Sequence, residues 1–306
     1  MRIVFMGTPS FAVPSLSALV AAGHEVALVV TRPDAVRSRG KRLEPSAVKA
    51  AAQEMGIPVL EASRMDAAAL DAVSEAAPDV ICVAAFGCLL PDALIAMATV
   101  GCINVHASLL PRWRGAAPIQ RAILAGDERQ GISIMAVAHE LDAGAYCRQA
   151  SIDAHDKNAS QLTSELAQLG ATELVSALAQ MQDGTVTWTK QYEPLVTLAP
   201  KVMKPELRLD PTQTATVNCR RVAASSDAAP ARLCIGDHGM RAMTATVCED
   251  LRAPHGEVVV SHGRVGLGCA DGVLEVLSVK PDGKREMPVS AWAAGLHEAP
   301  SCWRSV

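Results

Sequence analysis

The chain has 306 residues, a formal net charge of −4, and a composition that is 50% hydrophobic but only 3% aromatic. That length is enough for two domains with separate cores, which with so few aromatics must be built from Ala, Val, Leu and Ile. The mild acidity excludes a protein held to nucleic acid by overall charge alone, and no apolar run reaches membrane-spanning length.

Nine cysteines without a Cys-x-x-Cys pair argue against a zinc site or a disulfide framework and for small core hydrophobes in a reducing compartment. The chain enters a strand at once, without a signal-peptide pattern. A cytoplasmic protein is the expectation, with no metal and no membrane partner.

In chain order, Ile3–Met6 predicts a short buried strand, and Gly7-Thr8-Pro9-Ser10 turns it into a helix over Phe11–Ala22 closed by Gly23. That turn keeps one glycine and fails the Gly-x-Gly-x-x-Gly test, which disfavours a nicotinamide-dependent oxidoreductase. Strands follow at His24–Val30, Pro58–Leu60, Val80–Ala84, Ile103–His106 and Ile132–Val137. Helical stretches at Pro45–Met55 and Ala67–Ala76 precede two of them, and Asp156–Gln182 reads as a long Ala/Leu helix. Strands alternating with helices predict an α/β domain with a doubly wound, mostly parallel, Rossmann-like sheet.

From Gly184 the pattern breaks. Residues 185–209, with two prolines and a charged Lys201–Arg208 stretch, read as a linker between a catalytic domain (1–184) and a second domain (210–306). The second carries short strands at Glu257–Ser261, Arg264–Leu267 and Val273–Val279 between His262-Gly263 and Asp271-Gly272 turns, which predicts a small C-terminal β-barrel.

The chemistry concentrates in Asn104-Val-His106-Ala-Ser-Leu-Leu-Pro111-Arg-Trp-Arg-Gly115, followed downstream by Leu141-Asp142-Ala-Gly144. Asn104 and His106 are two apart, so on a strand both project from one face. Pro111 ends the strand, since it lacks an N–H and disfavours a helical residue before it. An amide donor, an imidazole and a carboxylate suit attack on a carbonyl, where an oxyanion develops and a proton must move. No serine or cysteine nucleophile is required if the attacker is an amine on the substrate.

The run Gly101–Arg121, with Ser-Leu-Leu-Pro-Arg-Trp-Arg-Gly-Ala-Ala-Pro at its centre, resembles the active-site segment of the methionyl-tRNA formyltransferases, a branch of the folate-dependent formyltransferases. Met1–Pro14, Thr31–Lys49 and Val265–Ala291 agree with it, so the resemblance touches most of the chain. It implies catalytic roles for Asn104, His106 and Asp142. It also implies a donor, 10-formyltetrahydrofolate, contacted at Ser108, Leu109, Leu110 and Pro111, and a β-barrel of oligonucleotide-binding (OB-like) type. The acceptor it implies is methionyl initiator tRNA, met by the basic loop through Arg39, Lys41 and Arg42, with the enzyme a monomer.

The chain departs from the family at Ala143, where threonine is usual, and at Ala145, where a second acid is usual. It also lacks an aromatic Asn-Pro-Trp-Pro element near Arg220–Pro230, which weakens a stacking role for that segment. Lys201, Lys204, Arg208, Arg220 and Arg221 form either an electrostatic track for RNA or plain surface. Two alternatives stay open: a related formyltransferase acting on a nucleotide or sugar amine, and an RNA-binding module whose enzyme domain is inactive.

Overall fold

A computed structural model describes residues 1–36 and 43–306. Arg39, Lys41 and Arg42 therefore lie outside the described residues. The chain divides into two compact units: Met1–Pro118, Arg129–Asp153 and Thr163–Ala199 form one, and Ile119–Glu128, Ala154–Leu162 and Pro200–Val306 form the other.

The elements run β1 (Arg2–Gly7), α1 (Val13–Ala21), β2 (Glu25–Thr31), β3 (Ala35–Val36), β4 (Leu43–Glu44), α2 (Ala47–Glu54), β5 (Val59–Glu61), α3 (Ala67–Glu75), β6 (Val80–Ala84) and α4 (Asp92–Ile95). They continue with β7 (Gly101–His106), α5 (Pro118–Ala125), β8 (Arg129–Ala136), β9 (Tyr146–Asp153) and α6 (Ala159–Gln182). Local chemistry sets the helix starts: the Ser46 hydroxyl accepts from the Lys49 N–H and the Asp66 carboxylate from the Ala69 N–H.

The sheet of the first unit has the order β5-β2-β1-β6-β7-β8-β9. It is parallel from β5 to β7, and Ile3–Met6 and all of β6 are buried, as expected for strands covered on both faces. Beyond β7 this mostly parallel sheet ends in two antiparallel strands. The strand read at Ile132–Val137 spans Arg129–Ala136 and runs antiparallel to β7, and β9, which the sequence pattern does not mark, runs antiparallel to β8. For β9 the physical reason is the connection: residues 137–145 are too few for the crossover of a dozen or more that a parallel pair needs. β9 also lacks a clean apolar alternation, since six of its eight residues are half-buried.

The second unit contains α7 (Ala215–Ala223), β10 (Arg232–Ile235), β11 (His238–Cys248), β12 (Val258–Ser261), β13 (Arg264–Gly268), β14 (Val273–Pro281), β15 (Met287–Pro288), α8 (Val289–Ala294) and β16 (Trp303–Arg304). Its antiparallel sheet has the order β12-β13-β14-β11-β10-β16, with β15 on β14. An antiparallel bridge from Glu257 to Cys302 brings the last strand beside the residues entering β12, so the sheet is a nearly closed barrel. Leu233, Ile235, Met240, Val265, Leu267, Leu274, Val276 and Trp303 fill its interior. Among the described residues no helix is long and apolar enough to cross a membrane.

Candidate active site

Strand β7 delivers Asn104 and His106 to the carboxyl edge of the parallel strands, where ligands of doubly wound sheets lie. His106 is 5% exposed. Its Nε2 lies 2.9 Å from the Trp113 carbonyl oxygen, which can only accept, so Nε2 carries the proton of that bond. Nδ1 faces the Asp142 carboxylate, 3.6 Å from Oδ2, close enough for charge interaction but beyond a direct hydrogen bond.

Two left-handed residues make this meeting possible: Trp113 at φ 65° turns its carbonyl toward His106, and Asp142 at φ 51° aims its carboxylate back across the gap. Aspartate visits that region more readily than most residues because its short polar side chain bonds locally. Asp142 Oδ2 accepts from the Gly115 N–H at 2.9 Å. Gly115 itself sits at φ 126°, and a Cβ there would press on the Ala199 carbonyl. Of the sequence-read trio, His106 and Asp142 thus face one another, and Asn104, half-buried, stands two residues before His106 on β7.

Most main-chain polar groups of Ser108–Pro111 are engaged within the protein. The Ser133 hydroxyl donates to the Ser108 carbonyl at 2.7 Å and accepts from the Leu110 N–H at 3.0 Å, while Gln149 Nε2 donates to the Leu110 carbonyl at 2.8 Å. The Ser108 hydroxyl donates to the Arg112 carbonyl at 2.6 Å. Leu110 is buried, and the Leu109 side chain occupies the space a Cβ on Gly131 would need. The segment is therefore bolted to β8 and β9 rather than presented as free donors and acceptors. The peptide bond between Leu110 and Pro111 is cis.

Two supporting residues carry no signal in the sequence. Ser133 reads there as one more member of an apolar strand, and Gln191 has nothing local to mark it. The loop after β6 is equally unmarked, although its position in the fold is informative. The sheet grows from β1 toward β2 on one side and from β6 toward β7 on the other, so the loops after β1 and β6 flank the switch in strand order. They are joined by the Thr8 hydroxyl donating to the Phe86 carbonyl at 3.0 Å, and Leu89 in the second loop is 83% exposed.

Lys49, which closes the Thr31–Lys49 segment, is engaged by Asp34 at 2.8 Å and by Glu61, and its bond to Asp34, then that to Glu61, holds its ammonium above the ordinary range. In the second unit Arg221 donates to the Arg208 carbonyl at 2.8 Å and Arg220 to the Ala125 carbonyl at 3.3 Å. Burial pushes the Cys102 thiol up to about 12 and the Cys82 thiol higher still, so neither buried cysteine supplies a thiolate near neutral pH. Among the described residues no group of three or more His, Cys, Asp or Glu is arranged to hold a metal ion.

A His and an Asp facing one another at the end of the strand that also carries Asn104 suit an enzyme that moves a proton during transfer of a group between two substrates. Comparison with known proteins gives the same class. A formyl transferase family model matches residues 1–178, and a model for the formyl transferase C-terminal domain matches residues 201–297. A methionyl-tRNA formyltransferase of Halorhodospira halophila is 40% identical over 302 residues, covering 98% of this chain and 97% of its own. One from Methylococcus capsulatus is 42% identical over 291 residues, covering 94% of each. The chain belongs to the formyl transferase family and, within it, to the methionyl-tRNA formyltransferases.

A solved structure of HypX from Aquifex aeolicus in complex with tetrahydrofolic acid shares the fold, with a TM-score of 0.67 at 20% identity. The likeness covers 96% of this chain and 47% of that one, so the chain spans about half its length.

Proposed function

We propose that the chain transfers a formyl group from 10-formyltetrahydrofolate to the α-amine of methionyl initiator tRNA. The observation that carries the reading is the approach of His106 Nδ1 to Asp142 Oδ2 at 3.6 Å, at the end of the strand that also presents Asn104. In the reaction a carbon–nitrogen bond forms between the methionyl amine and the formyl carbon, the bond from that carbon to folate N10 breaks, and the amine's proton moves to the departing nitrogen. The donor supplies the activated formyl carbon.

The chain's own residues supply the rest. Asn104 offers amide N–H groups toward the oxyanion that develops at the formyl oxygen. His106 is held through Nε2 by the Trp113 carbonyl, which leaves Nδ1 as the ring nitrogen for proton traffic. Asp142 is the acceptor facing that nitrogen, and its own orientation is set by the Gly115 N–H. Buried between these groups, a neutral amine meets a site where hydrogen bonds and charges act at lower effective dielectric than in water.

Ser108, Leu109, Leu110 and Pro111 border this site, with Leu109 and Pro111 offering apolar surface to the donor's ring. Arg39, Lys41 and Arg42 engage the tRNA backbone. The catalytic body is residues 1–184, residues 185–209 link it to the barrel of 210–306, and the enzyme works as a cytoplasmic monomer.

The test is incubation of the protein with 10-formyltetrahydrofolate and charged initiator tRNA, followed by release and identification of the amino acid. Formylmethionine is the expected product. Absence of formylmethionine, or equal formylation of a nucleotide-linked amino sugar, overturns the reading.

A further inference from the structure

Gln191 lies far in sequence from the catalytic trio, yet it is 3% exposed and every polar atom of its side chain is engaged around Asp142. Its Nε2 donates to the Asp142 carbonyl at 2.8 Å and to the Gly144 carbonyl at 2.8 Å. Its Oε1 accepts from Arg114 Nε at 2.8 Å. Arg114, 7% exposed, is in turn gripped by Glu193 at 2.8 Å, and its main chain pairs with Thr197 and Ala199. Both amide hydrogens are thus used on the turn that carries the carboxylate facing His106, and the amide oxygen on Arg114.

We infer that Gln191 is a positioning residue for Asp142. A turn that places a non-glycine residue at φ 51° persists only where its surroundings hold it. Gly144 permits the turn, since a Cβ there would collide with the Ala136 carbonyl, but a glycine alone fixes nothing. The paired donations from Gln191 pin the carbonyls at both ends of Asp142–Gly144, which holds the backbone from which the carboxylate reaches the Gly115 N–H and faces His106 Nδ1. A neutral amide is the side chain the place requires: two carbonyls demand two donors, Arg114 demands an acceptor, and a carboxylate there would face both carbonyls with no proton to give.

The inference rests on the role proposed above for Asp142, and its test separates the two. Gln191→Met keeps the length and removes every hydrogen bond; Gln191→Glu keeps the acceptor for Arg114 and removes the donors. Each is assayed for formylation of charged initiator tRNA in the wild-type and the Asp142→Asn background, with thermal unfolding to verify the fold. A loss of about tenfold to a hundredfold in kcat is expected in the wild-type background, the scale of a misplacement near 1 Å, with KM for either substrate changed less than about threefold. In the Asp142→Asn background the same replacements should change kcat by less than about threefold, because residues acting as a unit are not additive.

Full kcat in either folded variant overturns the inference, as does an equal fold-loss in both backgrounds, which would make Gln191 a support of the fold in general. Should one replacement fail to fold, the other carries the test. If Asp142→Asn alone is as active as wild type, the reading of Asp142 fails first; if it collapses while Gln191→Met is fully active, only the positioning role fails.

Discussion

The Trp113 carbonyl accepts a hydrogen bond from His106 Nε2–H at 2.9 Å, so the imidazole is tied to the main chain by one nitrogen and meets Asp142 with the other. A ring held in this way has one orientation and one tautomer at the bond that holds it. The loop that ends β7 therefore orients the side chain that β7 presents.

His106→Ala should lower kcat by about 100-fold to 10,000-fold, the usual range for losing an acid–base group together with oxyanion stabilisation. His106→Gln, whose amide can still donate to the Trp113 carbonyl, should fall as far, because an amide cannot carry a proton to and fro. Steady-state formylation assays decide it; turnover within tenfold of wild type in either variant removes His106 from the chemistry.

Asp142→Asn preserves size and the Gly115 hydrogen bond through its amide oxygen but removes the negative charge facing His106. The expected outcome is a collapse of kcat with little change in the affinity for a folate analogue, measured by calorimetric titration. Binding that falls in proportion to activity would instead mark Asp142 as a structural residue of its turn.

Arg39, Lys41 and Arg42 are proposed to meet the tRNA backbone, and a chain with a net charge of −4 needs local cations for that purpose. Replacing all three by alanine should raise KM for charged tRNA and flatten the slope of log affinity against log salt by roughly 0.7 to 0.9 for each phosphate no longer neutralised. Folate binding should persist. An unchanged KM and an unchanged slope would shift the RNA-binding role to the barrel.

In the barrel Arg264 bonds Glu275 at 2.7 and 2.6 Å and Asp250 at 2.7 and 2.9 Å, and these bonds hold both carboxyls below the ordinary carboxylate range. Glu275 is only 8% exposed. Arg264→Gln removes the charge that both carboxylates face and should lower stability at neutral pH. The sign with pH follows from the lowered values: the stabilisation is complete above the ordinary range near pH 4 and is lost as pH falls through the lowered ones. Urea midpoints of wild type and variant should differ at pH 7 and draw together toward pH 3; a gap of constant size would deny the ion pairs this role.

How much of this is legible in the sequence depends on whether the governing interaction is local. Asn104 and His106 are readable because a period of two on a strand fixes a shared face, and the barrel strands β12 to β14 because glycine turns separate them. β11 is not, since register shifts between Ala242 and Ala245 break its alternation. The turn at Ser108–Pro111 can be anticipated, but the engagement of its polar groups cannot, because their partners Ser133 and Gln149 sit on strands whose antiparallel hairpin the pattern does not disclose. Gln191 leaves no trace for the same reason: its bond to the Asp142 carbonyl spans 49 residues, and nothing beside it in sequence marks a buried amide.

The clamp formed by the later residues has a bearing on when the enzyme becomes competent. Arg114 meets Gln191 across 77 residues and Trp113 meets Thr197 across 84, so both pairings close long loops. Closing such loops costs chain entropy before any interaction rewards it. On the ribosome, a nascent chain that has grown through β9 and α6 already holds Asn104, His106 and Asp142, yet the amide that bonds the Asp142 and Gly144 carbonyls is still missing. Competence would then arrive late and abruptly, when the segment from Gln191 to Ala199 emerges and docks, so that an unfinished catalytic domain is also a silent one.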